Sequence, residues 1–585
     1  MKDFLNLKMF VRVKTTPNSP RQSVQIVESV RDGNIVKQKI LRHVGIAQSD
    51  FELVKLKELA EFICSQIEEE RQPKLFSPEN AAQLAIQSKQ NNEDDKKYNV
   101  NIKNLKEEQR LIYGIHEIYG KIYEEIGFDQ ILKDPIRDKK SNEILKNIVL
   151  ARIANPLSKR GSVNMLETDF GISENLEQVY RMMDKLDDEA ISNLQNISYT
   201  YTKNLLGGKV DVMFYDCTTL YFESFNEDEL RQCGFSKDHK YQETQIVLAL
   251  IVTKDGLPIG YEIFPGKTYE GHTLIPILEK IKQTYDLDKV LFVADSGLLN
   301  DKNLKSLDEK GFQYIVGARI KNMPQNIQSQ ILQIDTFKDM INKDNKEIFK
   351  IKNIPIDNNR QLIVSYSSIR ARKDAHDRQK AILKVSKKIK ENSKFKDLIS
   401  PSAFKKYLLL KNNENIEIDD NKILEYSKWD GLHGIITNAK DLTDEYILNH
   451  YKGLWQIEES FRISKHDLKV RPVFHWKKER IKAHLAISFI AFSCVRYLEY
   501  RISLQYQKLS PEIIRRELLH VQASILIDQK TKLKYCLPSK SSEHIKKIYK
   551  LMHVPLKSTC YPIVEHVVPN KKAESFISAP SREMM

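Results

Sequence analysis

The sequence predicts a multidomain α/β protein. An N-terminal β-containing region and a helical region precede a mixed α/β core, and an insertion interrupts that core. Three observations predict this. The chain has 585 residues, and single hydrophobic cores stop growing near ~250–300 residues. Residues 209–318 carry apolar patterns in the order strand, hairpin, helix, strand, helix, strand, as a sheet covered by helices requires. A long, strongly basic stretch then intervenes before a helical pattern resumes at Thr443 or Asp444, both suitable N-caps.

Residues 1–100 are assigned to the N-terminal region and its linker. Phe10–Val13 and Val24–Val27 are rich in β-formers, Asp32-Gly33 marks a turn, and Ile35-Val36 and Ile40-Leu41 continue the pattern. A charged helix is expected over about 50–72, and the polar residues 86–100 read as a linker. Residues 101–207 are assigned to a helical region, which fits a small nucleic-acid-binding unit and a plain helical adaptor equally well. Leu111, Ile115, Ile118 and Ile122 recur at helical steps. Ser173 is the expected start of a helix whose buried stripe is Val179, Met182, Met183 and Leu186.

Residues 208–325 form the first part of the core. Val210–Tyr215 reads as a strand ending at Asp216, and Gln245–Val252 and Leu257–Phe264 as a hairpin through Asp255-Gly256. Thr273–Tyr285 is helical, with Leu274, Ile277, Leu278 and Ile281 on one face. Val290–Ala294 is a short buried strand ending at Asp295. Residues 301–310 form a helix and Phe312–Ala318 another strand. Residues 326–435 are the insertion. Its run Arg370–Lys396 includes Arg370, Arg372, Lys373, Lys384, Lys387 and Lys388, and a solvated helix face is the more usual account of one such run, with a nucleic-acid surface the alternative. Residues 436–510 return to the core, and 511–585 form a C-terminal region available for dimerisation.

The chain has 93 Lys and Arg against 79 Asp and Glu, a net charge of +14. An anionic polymer is a natural partner for that balance, although a lysine-rich composition alone produces it. Hydrophobic residues make up 41% and charged residues 29%, which excludes a disordered chain. Cys64, Cys217, Cys233, Cys494, Cys536 and Cys560 form no C-x-x-C pair, so neither a zinc knuckle nor a disulfide framework is indicated and a reducing cytoplasm is expected. The N-terminus lacks the apolar core of a signal peptide. Ala483–Leu498 is apolar but contains His484 and Arg496; it falls short of the ~20 residues needed to cross a bilayer and reads as a buried helix.

The most informative segment is Tyr451–Lys465, YKGLWQIEESFRISK. Tyr451, Glu458 and Lys465 are spaced to share one helical face with Trp455 and Arg462. One carboxylate among cations and aromatics suits a metal and phosphate site, while a surface helix bridged from Glu458 to Arg462 is the structural alternative.

Tyr451-x2-Leu454-x3-Glu458-x6-Lys465 resembles the Y-x2-R-x3-E-x6-K signature of bacterial insertion-sequence transposases of the DDE type. The resemblance spans roughly residues 205–500. It implies an RNase H-like catalytic core with an insertion before the Glu helix. It also implies that Asp216, in Asp216-Cys217-Thr218, Asp295, in Asp295-Ser296-Gly297, and Glu458 are the catalytic and metal-binding carboxylates. The family's Arg position is Leu454 here, and Arg462 is the candidate to take over its phosphate contact. Tyr451 and Lys465 would hold phosphates near the cleaved bond.

Phosphodiester cleavage suits these residue types. Two Mg2+ ions about 3.5–4 Å apart serve both ends of the displacement, and Mg2+ takes carboxylate and water oxygens; Mn2+ could substitute. The implied partners are double-stranded DNA with terminal inverted repeats, target DNA and a second copy of the chain in a synaptic complex. The implied setting is the bacterial cytoplasm, at the nucleoid. A nuclease that cuts without joining, and a non-catalytic DNA-binding descendant of a transposase, remain open. Asp211 is the rival to Asp216. His475 and His484 read as ordinary surface histidines, and Trp429 as a packed core residue.

Overall fold

The structure, a computed structural model, describes residues 9–15, 22–32, 35–47, 50–71, 100–132, 134, 136–223, 225–235, 242–284, 290–298, 300–341, 348–390, 407–411 and 415–563. The expected linker before residue 100, the Gly33 turn and the end of the basic run lie outside the described residues. The chain divides into two compact units, Met1–Asn101 and Ile102–Met585.

In the first unit β1 (Met9–Thr15), β2 (Gln22–Asp32) and β3 (Ile35–Ala47) form an antiparallel sheet. Helix α1 (Asp50–Arg71) covers it. Val24 and Ile26, two apart and so on one face of β2, are buried in one cluster with Ala60 and Cys64 of α1.

The second unit opens on β4 (Leu105–Ile112), followed by α2 (Gly114–Ile126), α3 (Lys139–Ala154), α4 (Lys159–Phe170), α5 (Leu176–Asp184) and α6 (Asp188–Leu205). Leu111, expected on a helix, is in β4. The reason is a partner far along the chain: β4 pairs antiparallel with residues 522–528, which no local period can reveal. Helix α5 starts at Asn175 rather than Ser173. The Asn175 side chain accepts from the amides of Glu177 and Gln178, and Asn caps a helix as well as Ser does. Val179, Met182, Met183 and Leu186 are buried as expected.

The central sheet is built from β5 (Val212–Tyr221), β6 (Gln245–Thr253), β7 (Pro258–Pro265), α7 (Leu274–Thr284), β8 (Leu291–Ala294), α8 (Asp301–Glu309) and β9 (Gln313–Ala318), in the chain order expected. Then come α9 (Gln325–Ile331), β10 (Lys338–Ile341), β11 (Ile348–Pro355), β12 (Gln361–Tyr366), α10 (Ser368–Lys390), the hairpin β13 (Leu408–Lys411) and β14 (Asn415–Ile418), α11 (Asp420–Ser427) and β15 (Leu432–Thr437). The nine strands lie in the order β10-β11-β12-β15-β9-β8-β5-β6-β7. The insertion is therefore continuous with the core sheet: β12 pairs with β15, which pairs with β9. Among the described strands of this sheet, β5, β8 and β9 run parallel to one another, and the remaining pairings are antiparallel.

Helices α12 (Asp444–Lys452) and α13 (Trp455–Arg462), a π-helical turn at Ile463–Asp467, α14 (Lys478–Gln505) and α15 (Pro511–Leu519) follow. Thr443 caps α12 through the amide of Tyr446. Helix α14 is long and apolar enough to cross a membrane, yet it is buried on all sides from Ala483 to Glu499, packed against α2, α3, α5, α6 and β7. That burial, rather than lipid, explains its apolar composition. The chain closes with β16 (Gln522–Asp528), β17 (Lys534–Pro538), α16 (Glu543–Leu551) and β18 (Tyr561–Ile563); the three strands join β4 in a four-stranded sheet.

Candidate active site

Side chains alternate along a strand, and the alternation decides where the carboxylates point. On β5, Val212, Phe214 and Leu220 belong to the core under α12–α14, while Met213, Tyr215 and Cys217 belong to the core on the other face. Asp216 has the parity of Phe214. On β8, Leu291 and Val293 face α12–α14, and Phe292 and Ala294 face away, so Asp295 continues the row of Val293. The parallel register pairs Tyr215 with Ala294, so Asp216 and Asp295 occupy the next, neighbouring positions. Two carboxylates emerge side by side on the face that carries α13. Asp216 does not end its strand: β5 runs on to Tyr221, because its pairing with β6 continues after β8 has stopped. One Asp216 oxygen accepts from the amide of Cys217 at 2.7 Å.

The expected single helix through Tyr451, Glu458 and Lys465 is broken. Helix α12 stops at Lys452, Gly453 follows, and α13 restarts at Trp455. Gly453 lies against Phe214, whose ring edge would sit 2.8 Å from a Cβ there. After Arg462 the π turn changes the angular step. Tyr451 and Glu458 still line one cavity, whereas Lys465 lies in the π turn and is not among the residues that line it.

That cavity, of about 480 Å³, is walled by Asp295, Tyr451, Lys452 and Glu458 together with Arg370, His433, Ser365 and Trp455. The Tyr451 hydroxyl donates to Asp295 at 3.3 Å. Burial, then the charge of Asp295, raises the Tyr451 phenol, so it stays a donor. Its ring is 5.1 Å from that of His433. Burial and the neighbouring Arg370 lower His433 to about 4, leaving it neutral. Asp216 is not among the lining residues, and among the described residues no three His, Cys, Asp or Glu side chains are gathered into a closed metal-binding group. The side-by-side Asp pair does offer the hard oxygen donors that suit a divalent cation.

Arg462 is committed elsewhere. It forms a bidentate pair with Glu459, both bonds 2.7 Å, and reaches Asp467 at 3.3 Å. The cavity's cations are Lys452 and Arg370, the latter from the basic helix of the insertion. Arg372, Lys373, Lys384 and Lys387 are exposed along α10, and Lys388 belongs to the same helix. Trp429 packs partly buried against the core, in line with the sequence.

Sequence reasoning missed the support of α13. Arg496, buried in α14, donates to the carbonyls of Gly256 and Asp255 at 2.9 and 3.0 Å, to Gln456 at 3.2 Å, and to the Glu499 carboxylate. Gln456 lies two residues before Glu458. Gly256 has φ +74°, and a Cβ there would be 1.9 Å from the guanidinium, so only glycine lets the hairpin tip accept Arg496. The Asp255-Gly256 turn was legible as a turn; its role as a dock was not.

The site thus sets two Asp residues on adjacent parallel strands, on the face of an α/β sheet covered by a helix that carries Glu. Residues 211–372 and 366–494 match the family described as Transposase DDE domain, a span that contains Asp216, Asp295 and Glu458. Among solved structures, a piggyBac transposase synaptic complex with hairpin DNA is similar at 10% identity and a TM-score of 0.34. The match covers 69% of this chain and 76% of that one, a likeness too distant to transfer residue roles. No curated protein matches the chain.

Proposed function

We propose that the protein is a transposase that cuts and rejoins DNA at the terminal inverted repeats of a bacterial insertion sequence. The observation that carries this reading is the placement of Asp216 and Asp295 directly after the paired residues Tyr215 and Ala294, on the face covered by the Glu458 helix, within the span that matches a transposase DDE domain. Asp216, Asp295 and Glu458 would hold two Mg2+ ions, or Mn2+. When bound, these ions lower the pKa of a nucleophilic water or hydroxyl and stabilise the leaving oxygen.

The chain's own residues supply positioning. Tyr451, hydrogen-bonded to Asp295, fixes that carboxylate and offers its hydroxyl to a phosphate. Arg370 takes the phosphate contact that Leu454 cannot make and Arg462, held by Glu459, does not make. Lys465, outside the cavity, would act on DNA that extends past the cut. A basic α10 suits a backbone-following contact with double-stranded DNA. Synapsis of two ends calls for two copies of the chain, and capture of target DNA completes the reaction in the bacterial cytoplasm, at the nucleoid.

The test is to incubate the full-length protein with DNA carrying its flanking ends and Mg2+, then map the products. Specific nicks at the repeat ends and joined products support the reading. Cuts without joining identify a nuclease, and intact DNA with binding retained identifies a non-catalytic descendant.

A further inference from the structure

A second cavity, of about 330 Å³, lies between the start of α4 and the segment 469–475 that follows the π turn. Arg152, Lys159, Lys469 and Arg471 line it with His475 and His484, and among the described residues that line it none is acidic. Lys159 is 6% exposed and Arg152 4%. Arg152 is committed to the protein: it donates to the carbonyls of Leu468 and Lys469 at 2.9 and 3.4 Å and approaches His484 Nδ1 at 3.5 Å. His484 in turn donates through Nε2 to the carbonyl of Val470 at 3.0 Å, so its ring is neutral and both nitrogens are used. Lys159 differs. Its side chain lines the cavity, and among the described residues its ammonium has neither an ion pair nor a hydrogen bond.

A buried ammonium without a carboxylate is costly. The burial of Lys159 and the charge of Arg152 lower its pKa well below the ordinary lysine value. Burial, then the charges of Lys159, Arg480 and Arg152, lower His475 to about 4. All of these groups would be relieved by one anion. The mouth of the cavity indicates what carries that anion. Phe474, which lines it, is 65% exposed, and Trp476 beyond it is 62% exposed with the Arg231 guanidinium 5.4 Å from its ring centre. Exposed rings beside a cationic pocket are how sequence-tolerant binders hold a strand, with the phosphate in the pocket and a base on the ring.

We propose that this cavity seats one backbone phosphate of a DNA strand, with an adjacent unpaired base stacked on Phe474. The choice of DNA as ligand rests on the transposase reading; the cavity itself does not depend on the carboxylates of the active site. The test therefore uses the full-length Glu458→Gln variant in EDTA, where cleavage plays no part.

Binding of a fluorescent single-stranded DNA oligonucleotide is measured against salt. Lys159→Met is expected to keep or raise the melting temperature, since it removes an unpaired buried charge. It is also expected to weaken binding and lower the slope of log affinity against log salt by about 0.7, the change for one fewer neutralised phosphate on a single strand. Phe474→Ala, on an exposed ring, is expected to weaken binding by roughly fivefold to a hundredfold at unchanged melting temperature. Unchanged affinity and slope in both variants would overturn the proposal. Inorganic phosphate that stabilises the parent but not Lys159→Met, with DNA affinity unaffected by either change, would assign the pocket to a free anion and overturn the DNA reading.

Discussion

The two cavities of the second unit are both walled by cations, but they are built to opposite ends. The cavity over β5 and β8 mixes signs. Asp295 and Glu458 face Arg370 and Lys452, and Tyr451 bridges to Asp295. The cavity beside α4 has no acidic residue among its described lining and encloses an ammonium that no described residue pairs. Carboxylates among cations can hold a metal ion and still accept a phosphate, whereas cations alone can only hold an anion. The comparison separates turnover from grip, and it predicts which substitutions stop chemistry and which only loosen binding.

The largest effect should come from the carboxylates. Glu458→Gln and Asp216→Asn are nearly isosteric, so binding and melting temperature should hold. Single-turnover cleavage of an end-labelled DNA should fall by more than the roughly 10–100-fold that loss of an outer-shell group costs. Parent-like cleavage in either variant would remove that residue from the site.

Next is the support beneath α13. Arg496→Met leaves Glu499 buried without its cation, which costs on the order of 3–5 kcal/mol, measured by denaturant unfolding. Arg496→Met combined with Glu499→Leu replaces the pair with apolar groups and should recover most of that stability. If Arg496 positions Glu458 through Gln456, the double variant stays slow in cleavage although it is stable. Full recovery of the rate would reduce Arg496 to a purely structural residue.

A smaller effect is set by pH. His116 packs against Phe170 with ring centroids 4.8 Å apart and the planes tilted by 54°, and neither of its buried ring nitrogens has a hydrogen-bond partner among the described residues. Burial, aided by Lys146, lowers it to about 4. Between that value and the ordinary histidine value near 6.5, the unfolded chain binds the proton that the folded chain refuses. Stability therefore rises with pH across the window and is lost as pH falls. His116→Phe should flatten that dependence by up to about 1.4 kcal/mol per pH unit, read from melts between pH 6.5 and 4. An unchanged slope would show that this ring protonates in the folded state.

What the sequence made legible was local. Val290–Ala294 followed by Asp295 marked a strand and its end, because an apolar run and a carboxylate sit next to each other in the chain. Thr443 marked a cap for the same reason. What stayed hidden depended on distant partners. Asp216 sits mid-strand because β6 outlasts β8 as a neighbour, and Leu111 is in a strand because residues 522–528 pair with it. The break at Gly453 was in plain sight as a glycine, yet the seven-residue spacing was read through it. The cationic cavity draws on Arg152, Lys159, Arg471 and His484 from four separate stretches. His475 and His484, read as ordinary surface residues, are ring neighbours 5.4 Å apart, and His484 is buried. The one linear trace of this cavity was the run Lys469–Lys477, where basic and aromatic residues interleave.

The smallest effect tests whether grip extends beyond both cavities. Helix α10 is fixed to the core at its start: Arg378 pairs with Asp430, and Asp374 accepts from the Gly431 amide at 3.0 Å. Further along, Val385 is buried against Leu408 of the β13–β14 hairpin, which leaves Lys384 and Lys387 on the exposed side. Among the described side chains of this helix, only that of Arg370 lines the cavity that holds Asp295 and Glu458. Lys384→Ala with Lys387→Ala should therefore leave the cleavage rate of bound DNA unchanged. It should lower the slope of log affinity against log salt for duplex DNA by about 0.9 for each phosphate that the helix no longer neutralises. Arg370→Ala should do the reverse, slowing cleavage more than it weakens binding. If the lysine pair changes neither slope nor affinity, α10 is a solvated helix that serves the site through Arg370 alone.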